Sequence, residues 1–393
     1  MTFSQAFEPA AIRHAVERAR HCSERDVAAA LTASSSSLDW FATLLSPAAG
    51  SMLEALAQRA HALTVERFGK IMNLYAPLYL SNDCVCTCSY CGFSRELPIK
   101  RKTLSVEEVK REARVLASHG LRSVLLVSSE HPKFVNPGYI AQCIAQTKSL
   151  VPYVAIEVAA ARTPEYALWV DAGCDGVVLY QETYDPELYP VYHLGGPKKH
   201  YEFRLDAPGA AAEAGVRHLG LGALLGLSDW RFEVLSLFAH AWHLYRRCSQ
   251  AHVNISFPRI NPAAGGFVPP HAVSDAELVH IITATRIGLP AAGIVLSTRE
   301  PAALRDRLIA LGITHMSAGS STEPGGYEHP GEAGEQFHLE DTRSPESVSR
   351  RLIELGYDPV FKDWERGLSG APNGRLLGGP AHGGCALQEV REP

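Results

Sequence analysis

The chain has 393 residues, of which 46% are hydrophobic and 20% are charged, and its formal net charge at pH 7 is -5. This composition is typical of a globular protein, and its weak acidity offers no basic surface to nucleic acid. No apolar run reaches the ~18 residues of a membrane-spanning helix and the N-terminal residues lack a secretory signal, so we expect a cytoplasmic protein without a membrane partner.

Residues 1–72 carry apolar side chains at helical spacing. Alanine and leucine dominate this pattern, which is clearest at residues 27–31, 38–45 and 52–70. The serine run at 34–37 and Pro47 interrupt it. We therefore predict an N-terminal helical extension over residues 1–72.

From residue 73 the pattern of apolar residues changes to short runs rich in β-forming residues. There are eight of them, at residues 76–83, 123–130, 153–160, 176–183, 218–227, 252–259, 293–300 and 314–321. Most are separated by stretches long enough for a helix, at 105–118, 137–148, 164–171, 202–214, 230–247, 275–287 and 301–310. Near-continuous apolar strands that alternate with helices indicate a parallel sheet covered on both faces. Eight such units predict an α/β fold, a (β/α)8 TIM-type barrel over residues 73–322.

Polar side chains end several of these runs, among them Glu130, Glu157, Glu182, Arg299 and Ser317. The carboxyl ends of barrel strands are where such barrels place their chemistry. A chain that simply becomes polar as it leaves a buried strand would explain any one of these residues. It explains Glu157 less well, because that carboxylate still lies inside the apolar run AIEVA.

After residue 322 the alternation stops, and we assign residues 323–393 to a short C-terminal extension. A turn at 322–327, an extended piece at 336–341 and a helix at 344–355 are predicted there. Residues 367–393 are rich in Gly, Pro and Ala, and we expect this tail to be poorly ordered.

The segment SNDCVCTCSYCGFSR, residues 81–95, holds four cysteines: Cys84, Cys86, Cys88 and Cys91. Single cysteines scattered elsewhere, with no export signal, favour a reducing compartment and disfavour a disulfide. A structural zinc site usually takes two ligand pairs on separate turns, which this spacing does not provide. The C-x3-C-x2-C spacing of Cys84, Cys88 and Cys91 suits three corners of a cubane iron–sulfur cluster, with one iron left open. Cys86 stands outside that spacing.

With Tyr90 before its last cysteine, this motif resembles the radical S-adenosylmethionine (SAM) superfamily, in which the loop follows the first barrel strand. Further segments resemble the aromatic amino acid lyases of that superfamily over about residues 70–365: LYLSNDC, CSYCGFS, LYQETYDPELY, RLDAP, IGLP, LSTRE, MSAGSSTEPGGY and VFKDW. Within that family, TEPGGY and VFKDW favour the tyrosine lyases that serve thiazole formation in thiamine biosynthesis.

The resemblance implies two cofactors. A [4Fe–4S] cluster would be held by Cys84, Cys88 and Cys91, and its open iron would bind the amino and carboxylate groups of SAM. Glu130 matches the acidic residue that accepts the methionyl ammonium group, and Tyr90 would lie against the adenosyl part.

The resemblance implies roles for five further residues. Glu157 and Arg204 would add contacts to SAM. Arg299 matches the arginine that anchors the substrate carboxylate through a bidentate pair. Ser317 would add a hydroxyl or backbone donor. His240, on the helix after the fifth barrel strand, would meet the phenol, although a buried helix histidine without a substrate role is an equally good interpretation.

The implied reaction is cleavage of the Cα–Cβ bond of L-tyrosine to 2-iminoacetate and p-cresol, with release of 5′-deoxyadenosine and methionine. The implied partners are L-tyrosine, an external one-electron donor of the flavodoxin or ferredoxin type, and thiazole synthase.

Three other functions were weighed. The tyrosine lyases of hydrogenase maturation carry a second, three-cysteine cluster at the C-terminus, where this chain has only Cys385. The related tryptophan lyases, which make 3-methyl-2-indolic acid, differ in pocket shape, which the sequence does not reveal. A non-catalytic, cluster-bearing partner of thiazole synthase is disfavoured by the presence of Glu130, Arg299 and all three spaced cysteines.

Overall fold

The computed structural model describes residues 1–361 of the chain. Within this range the strands are β1 (Ile71–Ser81), β2 (Thr87–Cys88), β3 (Ser123–Ser128), β4 (Tyr153–Glu157), β5 (Gly176–Glu182), β6 (His193–Gly195), β7 (His218–Ala223), β8 (His252–Ser256), β9 (Gly293–Leu296), β10 (His315–Ser317) and β11 (Asp358–Val360). The helices are α1 (Phe3–Ala6), α2 (Pro9–Ala19), α3 (Glu24–Thr32), α4 (Leu38–Leu44), α5 (Pro47–Ser51), α6 (Leu53–Phe68), α7 (Val106–Ser118), α8 (Pro137–Lys148), α9 (Thr163–Asp171), α10 (Tyr189–Tyr192), α11 (Tyr201–Glu213), α12 (Trp230–Arg247), α13 (Asp275–Gly288), α14 (Ala302–Leu308) and α15 (Pro345–Glu354).

Eight parallel strands close into a barrel in the order β1, β3, β4, β5, β7, β8, β9 and β10. The barrel closes where β10 pairs with β1, with Asn73 opposite His315 and Tyr75 opposite Ser317. Seven of the eight apolar runs contain one of these strands and the first overlaps β1, which begins earlier than predicted, at Ile71, so the predicted (β/α)8 barrel is confirmed. Because all strands run the same way, their carboxyl ends meet at one rim.

Capping residues in the sequence mark where helices between the strands begin. At the start of α7, the Ser105 hydroxyl accepts a hydrogen bond from the Glu108 amide, and the Glu108 carboxylate accepts one from the Ser105 amide. This reciprocal capping box satisfies two donors that the first helical turn leaves free. Asn136 caps α8 in a similar way, and Pro137 follows at its first position.

Three short strands were not predicted. β11 adds to the outer side of β1, with Ile71 opposite Asp358. β2, inside the cysteine loop, pairs antiparallel with β6, with Thr87 opposite Gly195 and Cys88 opposite His193. The extended piece expected at residues 336–341 forms no strand.

The predicted N-terminal helices are present as α1–α6, and α1, α2, α4 and α6 pack against helices α11, α12 and α13. Close packing is evident at Phe41, since a Cβ on Gly288 of α13 would lie 2.4 Å from its ring. The N-terminus is tied to α11 by Ser4, whose amide and hydroxyl both donate to the Asp206 carboxylate at 2.7 Å. None of the helices in residues 1–361 is long and apolar enough to cross a membrane. The tail at 367–393 lies outside the described residues.

Candidate active site

A cavity of about 940 Å³ opens at the carboxyl ends of the barrel strands. Its lining includes aromatic, charged and sulfur-bearing side chains that come from different strands and loops: Tyr75, Tyr79, Tyr90, Cys91, Glu157, Tyr180, Glu182, Lys198, Arg299, Ser317, Gln336 and Phe337. The cavity therefore brings together the cysteine loop and Arg299, which are more than 200 residues apart in sequence.

The cysteine loop is held by one arginine. The guanidinium of Arg101 donates four hydrogen bonds of 2.7–3.0 Å to main-chain carbonyl groups of the loop, at Asn82, Phe93, Ser94 and Leu97. The Asn82 side chain adds bonds to the main chain of Lys100 and Lys102. Because the side chains of Arg101 and Asn82 bind so many backbone groups, they hold the loop in one conformation.

Cys84, Cys88 and Cys91 fit the cluster that the motif implies. Cys88 is 4% exposed, and burial raises the pKa of the Cys88 and Cys91 thiols. Cys84 and Cys91 both pack against one buried apolar cluster, which includes Tyr79 and Phe93, and the Cys91 amide donates to the Cys88 carbonyl at 3.3 Å. The described residues contain no compact set of three or more His, Cys, Asp or Glu side chains of the kind that binds a single metal ion. Three adjacent thiols in a buried loop are the donor type that iron–sulfur clusters use.

Cys86 packs elsewhere. Its sulfur lies 3.5 Å from an oxygen of the Glu130 carboxylate, and its amide lies 3.4 Å from the sulfur of Cys84. Its Cα and sulfur press against Gly196, which has φ +82° and follows β6. Cys86 thus connects the cysteine loop to the segment between β5 and α11, which contains β6 and Gly196.

Gly196→Ala is expected to lower the iron content of the reconstituted protein. The added Cβ would lie 2.6 Å from Cys86 Cα, and the left-handed backbone costs a non-glycine residue about 1 kcal/mol or more. Iron and protein assays would measure this. Gly195→Ala is the matched control, because its Cβ would meet only Thr87, at 3.4 Å. Equal iron loss in both variants would contradict the packing argument.

Beside the cysteine loop lies a network of four charged side chains. Arg204 lies 3.4 Å from Glu130 and 3.7 Å from Glu182, and Lys198 lies 2.6 Å from Glu182. Burial opposes ionisation of Glu182, but the charges of Lys198 and Arg204 outweigh it and hold its pKa below the usual value. The network presents both signs of charge to the cavity, as a zwitterionic ligand would require.

Tyr90 is fixed by a buried histidine. His193 Nδ1 lies 2.8 Å from the carbonyl oxygen of Tyr189, which only accepts, so this nitrogen carries the proton. Nε2 then accepts from the Tyr90 hydroxyl at 2.8 Å. Burial lowers the pKa of His193 to about 3, so the ring stays neutral. The Tyr90 ring is thereby held at the cavity wall, with the Lys198 ammonium 5.7 Å from its centroid.

Glu182 occupies a strained position. It is the one non-glycine residue in the described chain with positive φ, +71°, and it ends β5 beside a register shift. Its carbonyl accepts from Leu224 N at 2.8 Å, and the next two residues, Thr183 and Tyr184, both donate to the buried Glu233 carboxylate. The surroundings therefore impose the unusual backbone, and that backbone aims Glu182 at Lys198 and Arg204.

Arg299 also lines the cavity. Its guanidinium carbon is 3.3 Å from the centroid of the Phe337 ring, and its carbonyl accepts from Asn261 at 2.8 Å. Burial lowers the pKa of Arg299, which forms no ion pair with any described residue. This guanidinium is half-buried and donates one long hydrogen bond of 3.4 Å, to the Arg259 carbonyl, so its charge favours an anionic partner. The site thus fits a carboxylate ligand.

Glu157 gives the cavity a pH-dependent charge. Burial, with a smaller effect from Glu182, raises its pKa to about 7. The carboxyl group is therefore neutral below about pH 7 and negative above it, where it would repel an anion bound at Arg299. We expect the KM for a carboxylate-bearing substrate to rise severalfold between pH 6 and pH 8, and Glu157→Gln to flatten this dependence. Steady-state kinetics across that range would measure it. A wild-type profile unchanged in Glu157→Gln would remove Glu157 from the explanation.

The two remaining predicted residues have different positions. Ser317 lies in the cavity wall, where its hydroxyl accepts from the Thr298 amide at 3.1 Å. His240 is not brought to the cavity. It stacks on Phe3 at 4.1 Å, and its Nδ1 lies 3.0 Å from the Tyr184 hydroxyl. The reason is that α12 belongs to the outer ring of helices, so the middle of the helix faces the N-terminal extension rather than the lumen.

Sequence reasoning missed three residues of this site. Lys198 follows β6 in the segment GGPKKH, where a lysine pair after Gly and Pro was the available signal. Gln336 and Phe337 come from a loop beyond the last barrel strand and carry no periodic pattern. Only the folded chain shows that this loop returns to the cavity.

Two protein-family models match the chain. The Radical SAM superfamily matches residues 78–239, and the Biotin and Thiamin Synthesis associated domain matches residues 256–358. Together they cover most of the barrel and the segment after it.

Among curated proteins, the 2-iminoacetate synthase of Escherichia coli (strain K12) is 41% identical over 347 residues, which are 88% of this chain and 92% of that protein. The 2-iminoacetate synthase of Salmonella typhimurium is 40% identical over 351 residues, 89% of this chain and 93% of that protein. Among solved structures, the FeFe-hydrogenase maturase HydG from Carboxydothermus hydrogenoformans is 33% identical, with a TM-score of 0.82 over 90% of this chain and 84% of that one. The chain belongs to the radical SAM superfamily and, within it, to the 2-iminoacetate synthase family.

Proposed function

We propose that this chain is a radical SAM lyase that cleaves the Cα–Cβ bond of L-tyrosine to 2-iminoacetate and p-cresol, releasing 5′-deoxyadenosine and methionine. One observation carries the proposal: a single cavity is lined both by Cys91 of the cysteine loop and by Arg299, which forms no ion pair with any described residue. The family to which the chain belongs sets the reaction class.

Cys84, Cys88 and Cys91 would hold a [4Fe–4S] cluster, and SAM would bind beside it. When bound, these cofactors supply a 5′-deoxyadenosyl radical by one-electron cleavage of the sulfonium C–S bond. Glu130, 11% exposed and paired with Arg204, is placed to accept the methionyl ammonium group. Arg204 orients that carboxylate and offsets its charge.

The substrate would lie deeper in the barrel. Arg299 would bind its carboxylate through the planar guanidinium, which Phe337 holds in orientation. Tyr75 and Tyr180 line the cavity where an aromatic ring would lie. Anchoring the carboxylate places the amino group, from which hydrogen is abstracted, toward the cluster side of the cavity.

Two macromolecular partners complete the proposal. The stated products require two electrons per turnover, one to cleave SAM and one, with a proton, to convert the 4-hydroxybenzyl fragment into p-cresol, and we assign their delivery to an external one-electron donor of the flavodoxin or ferredoxin type. Since 2-iminoacetate is a reactive imine that water hydrolyses, we assign its consumption to thiazole synthase, close to the site of release.

The test uses anaerobically reconstituted, dithionite-reduced protein with SAM and either tyrosine or tryptophan, followed by mass spectrometry of the products. Equal formation of 5′-deoxyadenosine and p-cresol with tyrosine is the expected result, and the Cys88→Ala protein is the control. Coupled turnover with tryptophan alone would assign the chain to the tryptophan lyases. Absence of SAM cleavage under all conditions would favour the non-catalytic partner of thiazole synthase.

A further inference from the structure

Residues 334–341, which we call the strap, cross the top of the barrel between the cysteine loop and Arg299. At one end the Gly334 amide donates to Lys100 O at 3.0 Å, and Gly334 O accepts from Asn82 Nδ2 at 2.9 Å. At the other end Asp341 pairs with the buried Arg305 and donates its amide to Thr298 O at 3.2 Å. Both ends of the strap are thus fixed to the barrel.

Within the strap, the main chain of Gln336 lies directly on the cysteine loop. Gln336 O accepts from the Gly92 amide at 3.2 Å, and Gln336 N donates to Thr322 O at 3.0 Å. A Cβ on Gly92 would lie 2.3 Å from Gln336 O, so only glycine permits this approach. These contacts hold position 336 in place whatever its side chain.

The side chain of Gln336 reaches a predicted cluster ligand. The Tyr79 hydroxyl donates to Gln336 Oε1 at 2.7 Å, and Gln336 Nε2 lies 3.9 Å from Cys91 Sγ. A thiolate only accepts hydrogen bonds, so the amide NH2 must face the sulfur when Cys91 holds iron. Tyr79 fixes the amide in that orientation. The sulfur of Cys91 therefore accepts a side-chain N–H···S hydrogen bond built by two residues outside the cysteine motif, beside the one that the Phe93 amide donates to it at 3.4 Å.

We propose that Gln336 is a positioning residue of the cluster: through its hydrogen bond to Cys91 it makes the cluster easier to reduce. A donor at a thiolate ligand withdraws negative charge and so stabilises the reduced, more negative state. This inference rests on the proposed function only in taking Cys91 as a ligand. It gives the strap a role in electron uptake as well as in covering the cavity.

The test is a redox titration of the reconstituted cluster, followed by its EPR signal, in the absence of tyrosine and SAM. Gln336→Met keeps the length of the side chain and removes the donor. At a fixed solution potential we expect its ratio of reduced to oxidised cluster to fall by about three- to tenfold, where tenfold is about 59 mV for a one-electron couple. Gln336→Glu, which keeps the acceptor for Tyr79 and adds a negative charge, should shift the midpoint further in the same direction.

His338→Gln is the matched control, because position 338 is an exposed part of the same strap and the exchange is neutral. Its midpoint should equal that of the wild type. Should Gln336→Met not reach the wild-type iron content, Gln336→Glu alone decides the test. A midpoint in the Gln336 variants that equals the wild-type value or lies above it would overturn the proposal. Since no substrate is present, this result is independent of whether tyrosine proves to be the substrate.

Discussion

Replacing Cys88 with alanine is expected to abolish cluster binding, SAM cleavage and p-cresol formation together. Cys88 lies in β2, where it pairs with His193 of β6, and it is 4% exposed. With two thiolates instead of three, the cluster would lose a corner that the protein must hold. Iron content, the reduced-state EPR signal and product analysis would each report the loss.

Cys86→Ala is the matched control for that experiment. Cys86 is 1% exposed and packs against Gly196. In the sequence it stands outside the C-x3-C-x2-C spacing of the other three cysteines. We expect Cys86→Ala to keep the iron content and the EPR signal of the reduced cluster. Loss of about one cluster of iron from Cys86→Ala alone would show that the ligand set is misassigned.

Arg299→Lys is expected to raise the tyrosine KM by about 10- to 100-fold, or about 1.4–2.7 kcal/mol, with a much smaller effect on SAM binding. A lysine ammonium is a point charge and cannot form the two parallel hydrogen bonds that a guanidinium offers a carboxylate. It would also lose the flat contact with the Phe337 ring. Steady-state kinetics with each substrate varied in turn would separate the two effects.

Arg259→Lys provides the comparison. Arg259 lies one strand away, but its guanidinium is already paired with Glu300 and Asp275, so it has no free fork for a substrate. Its tyrosine KM should stay close to the wild-type value. Equal weakening of tyrosine and SAM binding in Arg299→Lys would move Arg299 out of the substrate site.

The sequence predicted the barrel well because its strands are buried on both faces. Each of the eight strands is an apolar run that needs no knowledge of its neighbours, and residues such as Ser105 and Asn136 mark where helices begin. β2, β6 and β11 could not be predicted in this way, since two or three residues carry no period. Each of these short strands forms because tertiary structure brings a partner strand beside it: β1 for β11, and β2 and β6 for each other.

The same distinction separates the site residues that could be predicted from the sequence from those that could not. Glu130 and Arg299 stand at strand ends, which barrel topology sends to one rim, and the cysteines share a single loop. Lys198 and Gln336 come from loops whose course depends on tertiary contacts, such as that between Gln336 and Gly92. The prediction that His240 meets the substrate failed because the sequence does not show whether a histidine in an outer helix faces the barrel lumen.

The backbone of Glu182 has a consequence for engineering. A non-glycine residue at φ +71° costs the fold about 1 kcal/mol or more, which glycine at this position would recover. At position 182 backbone geometry and charge pairing therefore favour different residues. Glycine or asparagine there would relieve the backbone but leave the buried charges of Lys198 and Arg204 without their carboxylate, at a cost of about 3–5 kcal/mol, so a library selected for heat resistance should keep Glu182.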